Sequence, residues 1–268
     1  MKEEIQRLLK ETTVVGKNLL CFTELDSTNT YLKRLAQEEV TANGTVIIAD
    51  YQTAGRGRME RTFQSPAGKG IYLSVLLRPE VPAERLLPVT ALAGVAVCNA
   101  VERVCGIRPG LKWPNDPVIG NRKLCGILTE LVTAQDGTLS LVLGIGINVA
   151  QTLGDFSPDV AEFATSLELS LGRPVSRAEV IAAVLEELDG MYVALCSGDL
   201  SVYLEAYRRD CVNLGKTVQL IGPSGREIAE AVAVDEQFAL VVRDCKGTEK
   251  TVRSGEVSVR GLYGYVDE

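Results

Sequence analysis

The segment YQTAGRGRMERTFQSPAGKG, residues 51–70, gathers Arg56, Arg58, Arg61 and Lys69 in one glycine-rich stretch. In GRGR the glycines let the backbone turn and approach a ligand closely. The arginines supply planar, permanently charged donors suited to phosphate or carboxylate. Two further cations stand beside turns, Lys112 in KWPND and Lys123 in RKLCGIL, and Asp116 is held between Pro114 and Pro117. Taken singly, each has a plain structural reading: a solvated loop, lysines that guard strand edges, a turn-forming aspartate. Taken together, Arg56, Arg58, Lys112, Lys123, one rigid carboxylate and several glycine turns describe a site for a polyphosphate, with Mg²⁺ as its companion.

Two nucleotide motifs are excluded. GRGRME begins like the dinucleotide fingerprint, but Glu60 replaces the third glycine and the loop opens a strand where a helix is required. GKT at 215–217 imitates the tail of a phosphate-binding loop, yet Asp210 stands where that motif needs glycine and a strand follows. Composition narrows the chemistry further, because the 268 residues contain no His. Serine and cysteine triads, imidazole proton transfer and ordinary zinc sites are thereby disfavoured, leaving Lys, Arg, Asp, Glu and backbone amides. The net charge of −7 means that an anion must be held by a local cluster rather than by the field of the whole chain. Seven Cys with no Cys-x-x-Cys pair and no signal peptide predict a reducing, cytoplasmic setting. No apolar run reads as membrane-spanning.

The elements that must position these groups follow from periodicity. A charged helix is expected over 2–11, a strand over 17–25 and a helix after DSTNT capped by Ser27, Thr28 or Asn29. Strands at 44–52 and 70–79 flank the basic loop, so the loop joins strand to strand. A helix buried nearly all round covers 88–104. KWPNDP reads as a turn, and 123–133 with 138–149 as a hairpin. Residues 150–175 read as loop with one turn. Ser176 and Glu179 form a capping box before a long amphipathic helix, and a second helix covers 199–209. Short strands at 216–221, 226–234, 238–243, 248–252 and 256–260 predict a small barrel, with Glu256 and Arg260 on one face of the last strand. The expected division is a domain over 1–211 and a second over 212–268.

The ordered set DSTN (26–29), QTAGRGR (52–58), SPAGKGIYLS (65–74), KWPND (112–116), RKLCGILTEL (122–131) and GIGINV (144–149) resembles the bacterial biotin protein ligases over almost the whole chain. The resemblance implies an α+β fold, a mixed sheet with packed helices like that of class II aminoacyl-tRNA synthetases, followed by an SH3-like barrel. It implies an enzyme that uses ATP to convert biotin to biotinoyl-5′-AMP and passes the acyl group to a lysine of a biotin carboxyl carrier domain. By this resemblance Ser27, Thr28, Asn29, Gln52, Gly55, Arg56, Gly57, Arg58, Lys123 and Gly126 meet biotin. Arg56, Arg58, Arg61, Phe63, Lys112, Asn115, Asp116, Lys123, Asn148 and Arg260 meet ATP or the adenylate. Lys123, Arg58, Asp116 and Lys112 form the catalytic group, in which Lys123 contacts the carboxyl oxygen and Asp116 reaches Mg²⁺.

Two positions depart from the family pattern: Glu60 stands in the place of Gly and Phe63 in the place of Trp. Phe63 still offers a ring to adenine, with less surface. A lipoate-type ligase, a non-catalytic biotin-binding module and a biotin-sensing repressor are the alternatives, and the subunit state is monomer or homodimer. A repressor needs a DNA-binding domain ahead of DSTN, where 20-odd residues stand. With its acidic balance the protein is expected to show no specific DNA binding. A salt-sensitive, sequence-selective gel shift in the presence of biotin and ATP would overturn that expectation.

Overall fold

A computed structural model of the chain describes residues 1–38, 41–58, 61–133, 137–222, 225–253 and 258–261. In chain order the elements are α1 (Lys2–Leu8), β1 (Leu19–Leu25), α2 (Thr28–Glu38), β2 (Val46–Gln52), β3 (Gly70–Leu77), α3 (Val89–Cys105), β4 (Gly110–Lys112), β5 (Asp116–Ile119), β6 (Arg122–Lys123), β7 (Cys125–Thr133) and β8 (Leu139–Asn148). They continue with α4 (Pro158–Ala161), α5 (Leu167–Leu171), α6 (Arg177–Ser197), α7 (Ser201–Asp210), β9 (Thr217–Gly222), β10 (Gly225–Val234), β11 (Leu240–Arg243), β12 (Glu249–Val252) and β13 (Ser258–Arg260).

The central sheet runs β1-β2-β3-β8-β7 and is mixed, with β1 and β2 parallel and the other neighbours antiparallel. Strand alternation divides its side chains between two covers. Ile71, Leu73, Val75 and Leu77 of β3, with Leu141, Leu143, Ile145 and Ile147 of β8, join the large core shared with α3 and α6. The opposite face carries Leu76 and Val142, which pack with Ile47 and Val132 under Leu32 and Ala36 of α2. That second cluster is small, so α2 leaves the far end of its face uncovered.

The long helices end where their sequence says they should. Ser176 Oγ accepts the Glu179 N–H at 3.3 Å at the start of α6, and Gly198 closes it with φ 84°. The helical stretch 83–105 is long and apolar enough to cross a membrane, contrary to the reading of the sequence alone. Its place against α6 and the sheet accounts for that composition, since it is buried between them.

Three regions refine the sequence reading. Residues 150–175 contain a 3₁₀ turn at Leu153–Asp155 as well as α4 and α5, elements too short for periodicity to register. KWPND is a turn inside a three-stranded sheet, β4-β5-β6, in which Lys112 pairs with Asp116. The C-terminal strands form one antiparallel sheet in the order β12-β11-β10-β9-β13, compatible with an SH3-like domain. Among the described residues its end strands β12 and β13 are not hydrogen-bonded to one another, so the expected barrel is not closed.

The segment before β1 is tied to α6 by two carboxylates: Glu186 accepts the Lys10 N–H at 2.9 Å, and Asp189 takes three further amides. Asp189 accepts the N–H groups of Thr13, Val14 and Val15 at 2.6, 2.7 and 2.8 Å. Burial raises its pKa, but the three amide donors outweigh burial and hold it below the usual range. The folded pKa is depressed, so this stabilisation is complete above the unfolded value and disappears as pH falls through the folded one. Asp189→Asn is expected to cost about 2 kcal/mol at neutral pH, and the gap from wild type should close in acid. Urea denaturation at pH 7 and below pH 4 measures both; a gap that stays constant would remove the carboxylate from the explanation.

Candidate active site

Where α2 stops covering the sheet, a cavity of about 710 Å³ opens. Its floor is set by strand parity. Tyr72 and Ser74 on β3 lie opposite Gly146 and Gly144 on β8, which lie opposite Gly126 and Leu128 on β7. Gly144 and Gly146 are required by close approach. A Cβ at Gly144 would overlap Asn29 Oδ1, and one at Gly146 would lie 2.6 Å from Phe63 Cε1. The spacing GIGIN therefore clears a flat floor at alternate positions of one strand, and Asn148 ends the same face.

The rim at the α2 end is a continuous polar network. The Thr28 N–H and hydroxyl donate to Gln52 Oε1 at 2.8 and 3.1 Å, and Gln52 Nε2 donates to Ser65 Oγ at 2.8 Å. Ser74 lies behind this rim, with its hydroxyl 2.8 Å from Thr28 Oγ1 and 2.6 Å from Asn29 Oδ1. Asn29 Nδ2 then donates to Glu130 Oε2 at 3.0 Å. The Thr30 N–H lies 3.5 Å from Ser27 Oγ, so among the three capping candidates Ser27 takes the position.

Residues 53–58 and 61–63 cross this floor as two hydrogen-bonded legs. The Gly57 N–H donates to the Arg61 C=O at 2.7 Å and the Phe63 N–H to the Gly55 C=O at 2.9 Å. Phe63 places its ring over Gly146, edge-on to Tyr72 with centroids 6.3 Å apart. Two arginines fasten the loop: Arg56 Nη1 reaches Glu130 Oε1 at 3.1 Å, and Arg58 Nη1 donates to Asn115 Oδ1 at 2.8 Å.

The cationic wall is built by the small sheet β4-β5-β6. Lys112 and Asp116 are buried, and Lys123 Nζ lies 2.8 Å from Asp116 Oδ1. Lys123 is itself gripped through its backbone, donating to the Phe163 C=O at 2.7 Å and accepting from the Thr165 N–H at 2.9 Å. Burial pushes the Lys112 ammonium down to about 8; Asp116 opposes this, while Lys123, Arg260 and Arg61 add to the lowering. Such a lysine gains from any anion brought to it.

The C-terminal part of the chain holds the turn in place. Trp113 donates its backbone N–H to Asn213 Oδ1 at 2.7 Å and its indole N–H to the Phe238 C=O at 3.0 Å. The Tyr207 hydroxyl donates to the Pro114 C=O at 3.1 Å. Gln219, Val259 and Arg260 complete the lining on that side, and Phe156, Val160 and Phe163 supply an apolar wall.

The residues singled out in the sequence line this one cavity, except Gly55, which is buried against the Phe63 carbonyl and Ser65 Oγ, and Lys69, whose ammonium is paired with Asp155 at 2.5 Å. Glu60 and Glu256 lie outside the described residues. Asn115 and Asn148 are engaged by the protein itself: Asn115 Nδ2 donates to the Ile127 C=O at 2.9 Å, and Asn148 bonds the Thr165 C=O at 3.0 Å and Gln151 Nε2 at 3.1 Å. Ser65, Tyr72, Ser74, Glu130, Gly144 and Gly146 were not assigned from sequence. Polar or glycine residues alternating with buried aliphatics on β3 and β8 are the signal that marks Tyr72, Ser74, Gly144 and Gly146; no such pattern marks Ser65 or Glu130. As for Mg²⁺, Asp116 is paired with Lys123 and faces Lys112, and no group of three or more His, Cys, Asp or Glu assembles among the described residues. The residues do not build a metal site of their own.

Six cationic side chains against two carboxylates, over a neutral floor, make a cleft that can bring an organic acid and a polyphosphate together. Residues 20–148 match the model of the biotin/lipoate A/B protein ligase family. The chain is 34% identical over 249 residues to the bifunctional ligase/repressor BirA of Bacillus subtilis, covering 93% of this chain and 76% of that protein. It is 33% identical over 237 residues to the biotin–[acetyl-CoA-carboxylase] ligase of Mycobacterium tuberculosis, covering 86% and 85%. Among solved structures it resembles the biotin protein ligase from Aquifex aeolicus in complex with biotin and ATP, with a TM-score of 0.81, 33% identity and coverage of 91% and 99%. The chain belongs to the biotin/lipoate A/B protein ligase family.

The close contact on the floor is open to test. Gly144→Ala should destabilise the protein by about 1–3 kcal/mol, the usual cost of overpacking, and the cost should largely vanish in an Asn29→Ala background. Urea denaturation of the four proteins measures it; an equal cost in both backgrounds would place the strain elsewhere.

Proposed function

We propose that this protein is the ATP-dependent ligase that activates biotin as biotinoyl-5′-AMP and transfers it to a lysine of a biotin carboxyl carrier domain. The reading rests on one observation: an anion-gathering wall and an uncharged, hydrogen-bonding rim share a single cavity in a chain of this family. The rim of Ser27, Thr28 and Gln52 suits the ureido ring, whose N–H and C=O groups need partners once buried. The glycine floor accepts the rest of the bicyclic ring, and Phe63 is the ring offered to adenine. Lys112, Lys123, Arg58 and Arg61 then screen the biotin carboxylate from the α-phosphate, which otherwise repel.

In the first step a carboxylate oxygen attacks the α-phosphorus and pyrophosphate leaves. In the second the carrier amine attacks the anhydride carbonyl and AMP leaves. Both steps build negative charge on oxygen, and Lys123, held by Asp116 and by residues 163–165, is placed to meet it. The apolar wall of Phe156, Val160 and Phe163 suits the adenine, while the loop excludes water that would hydrolyse the anhydride. Arg260 brings the 212–268 domain to the nucleotide side of the 1–211 catalytic domain. Mg²⁺ enters this reading on the triphosphate, with no protein step assigned to it. Seven free thiols agree with a reducing, cytoplasmic setting.

Biotin-dependent exchange of pyrophosphate into ATP tests the reading directly; exchange with lipoate in place of biotin would transfer it to the sister activity. Lys123→Ala is expected to slow both exchange and transfer from synthetic biotinoyl-adenylate by about 10²- to 10³-fold. Lys123→Arg should recover little, because a planar guanidinium does not replace a point charge. Unimpaired transfer by Lys123→Ala would confine this residue to the first step.

A further inference from the structure

Glu130 was assigned no part in binding or chemistry, yet three groups converge on it. Lys33 of α2 lies 2.8 Å from Oε1, Arg56 of the loop lies 3.1 Å from the same oxygen, and Asn29 donates to Oε2 at 3.0 Å. The carboxylate is only 16% exposed. Burial acts to raise its pKa, but hydrogen bonds from Lys33 and Asn29 and the field of Arg56 hold it low.

Position gives this cluster its meaning. Glu130 is on β7, the edge strand of the central sheet, whereas the loop leaves from β2, three strands away and about 14 Å across by strand spacing. The loop therefore reaches over the cavity floor, and the Arg56 pair is its attachment on the far side. Through Asn29, whose Oδ1 accepts from Ser74 and packs on Gly144, the same carboxylate also fixes the rim of the pocket.

We propose that Glu130 is a positioning residue that fastens the 53–63 loop across the pocket and thereby sets how long the acyl-adenylate is retained. This rests on the biotin-activating reading above. A charge-assisted pair at the attachment resists opening, and one carboxylate serving loop, helix and rim makes loop closure depend on the same group that orders the pocket. A plain tether between α2 and β7 would need Lys33 and would be indifferent to Arg56.

The experiment preforms the complex with labelled biotin and ATP, then follows loss of label in a chase, together with thermal stability. Glu130→Gln and Arg56→Gln should each speed release by roughly tenfold. The double variant should release no faster than either single one, because both changes open one fastening. Lys33→Met, which removes only the helix contact, should release at the wild-type rate. Unchanged release in Glu130→Gln, additive effects in the double variant, or an equal acceleration in Lys33→Met would each overturn the proposal. A wild-type protein that forms no biotinoyl-adenylate would instead overturn the reading on which it rests.

Discussion

Alternation of side chains along β3, β8 and β7 is the constraint on which the site depends. It sends the aliphatic residues of each strand into the core beneath α3 and α6 and leaves Tyr72, Ser74, Gly144, Gly146, Gly126 and Leu128 together on the other side. There α2 covers only the Ile47, Leu76, Val132 and Val142 end. The same helix that seals that end presents Ser27, Thr28 and Asn29 at its N-terminus to the open part. Pocket and core are thus two faces of one sheet, and a one-residue slip of β8 would exchange the glycine floor for Leu143 and Ile145.

Charge is handled by separation. A chain with net charge −7 collects six cationic side chains around one cavity and keeps them apart by different means. Arg56 is turned to Glu130, Arg58 to Asn115, and Lys123 to Asp116. Lys112 remains buried beside Asp116 with its ammonium pushed down to about 8, the largest share of that shift coming from burial. Burial of an ammonium is costly, and an incoming phosphate or carboxylate offsets that cost.

The C-terminal sheet takes part in this arrangement. Trp113 is 1% exposed because Asn213, Phe238 and Tyr207 enclose the KWPND turn, each through a hydrogen bond or a ring contact. The turn that carries Lys112, Asn115 and Asp116 is therefore shaped from both sides, by the β4-β5-β6 sheet and by the chain after α7. Arg260 reaches the cavity from the same direction.

Much of this was legible in the residues alone. The hydrophobic periods located the central strands and long helices, the absence of His disfavoured whole classes of chemistry, and GRGR, KWPND and RKLCGIL named the cations. Local pattern carried that information because propensity, capping and charge act over a few residues. The fold decided what depends on distant partners. Glu130 and Ser74 acquired roles only when β7, β3 and α2 came together, and Asn115 and Asn148 proved to be braced by backbone carbonyls. Gly55 is buried within the loop against Phe63 and Ser65, Asp116 is paired with a lysine seven residues later in the chain, and among the described residues the C-terminal strands form one sheet that does not close. Each of these turns on which side chains meet across one sheet or between sheets, a matter of register and packing that no short stretch of sequence contains.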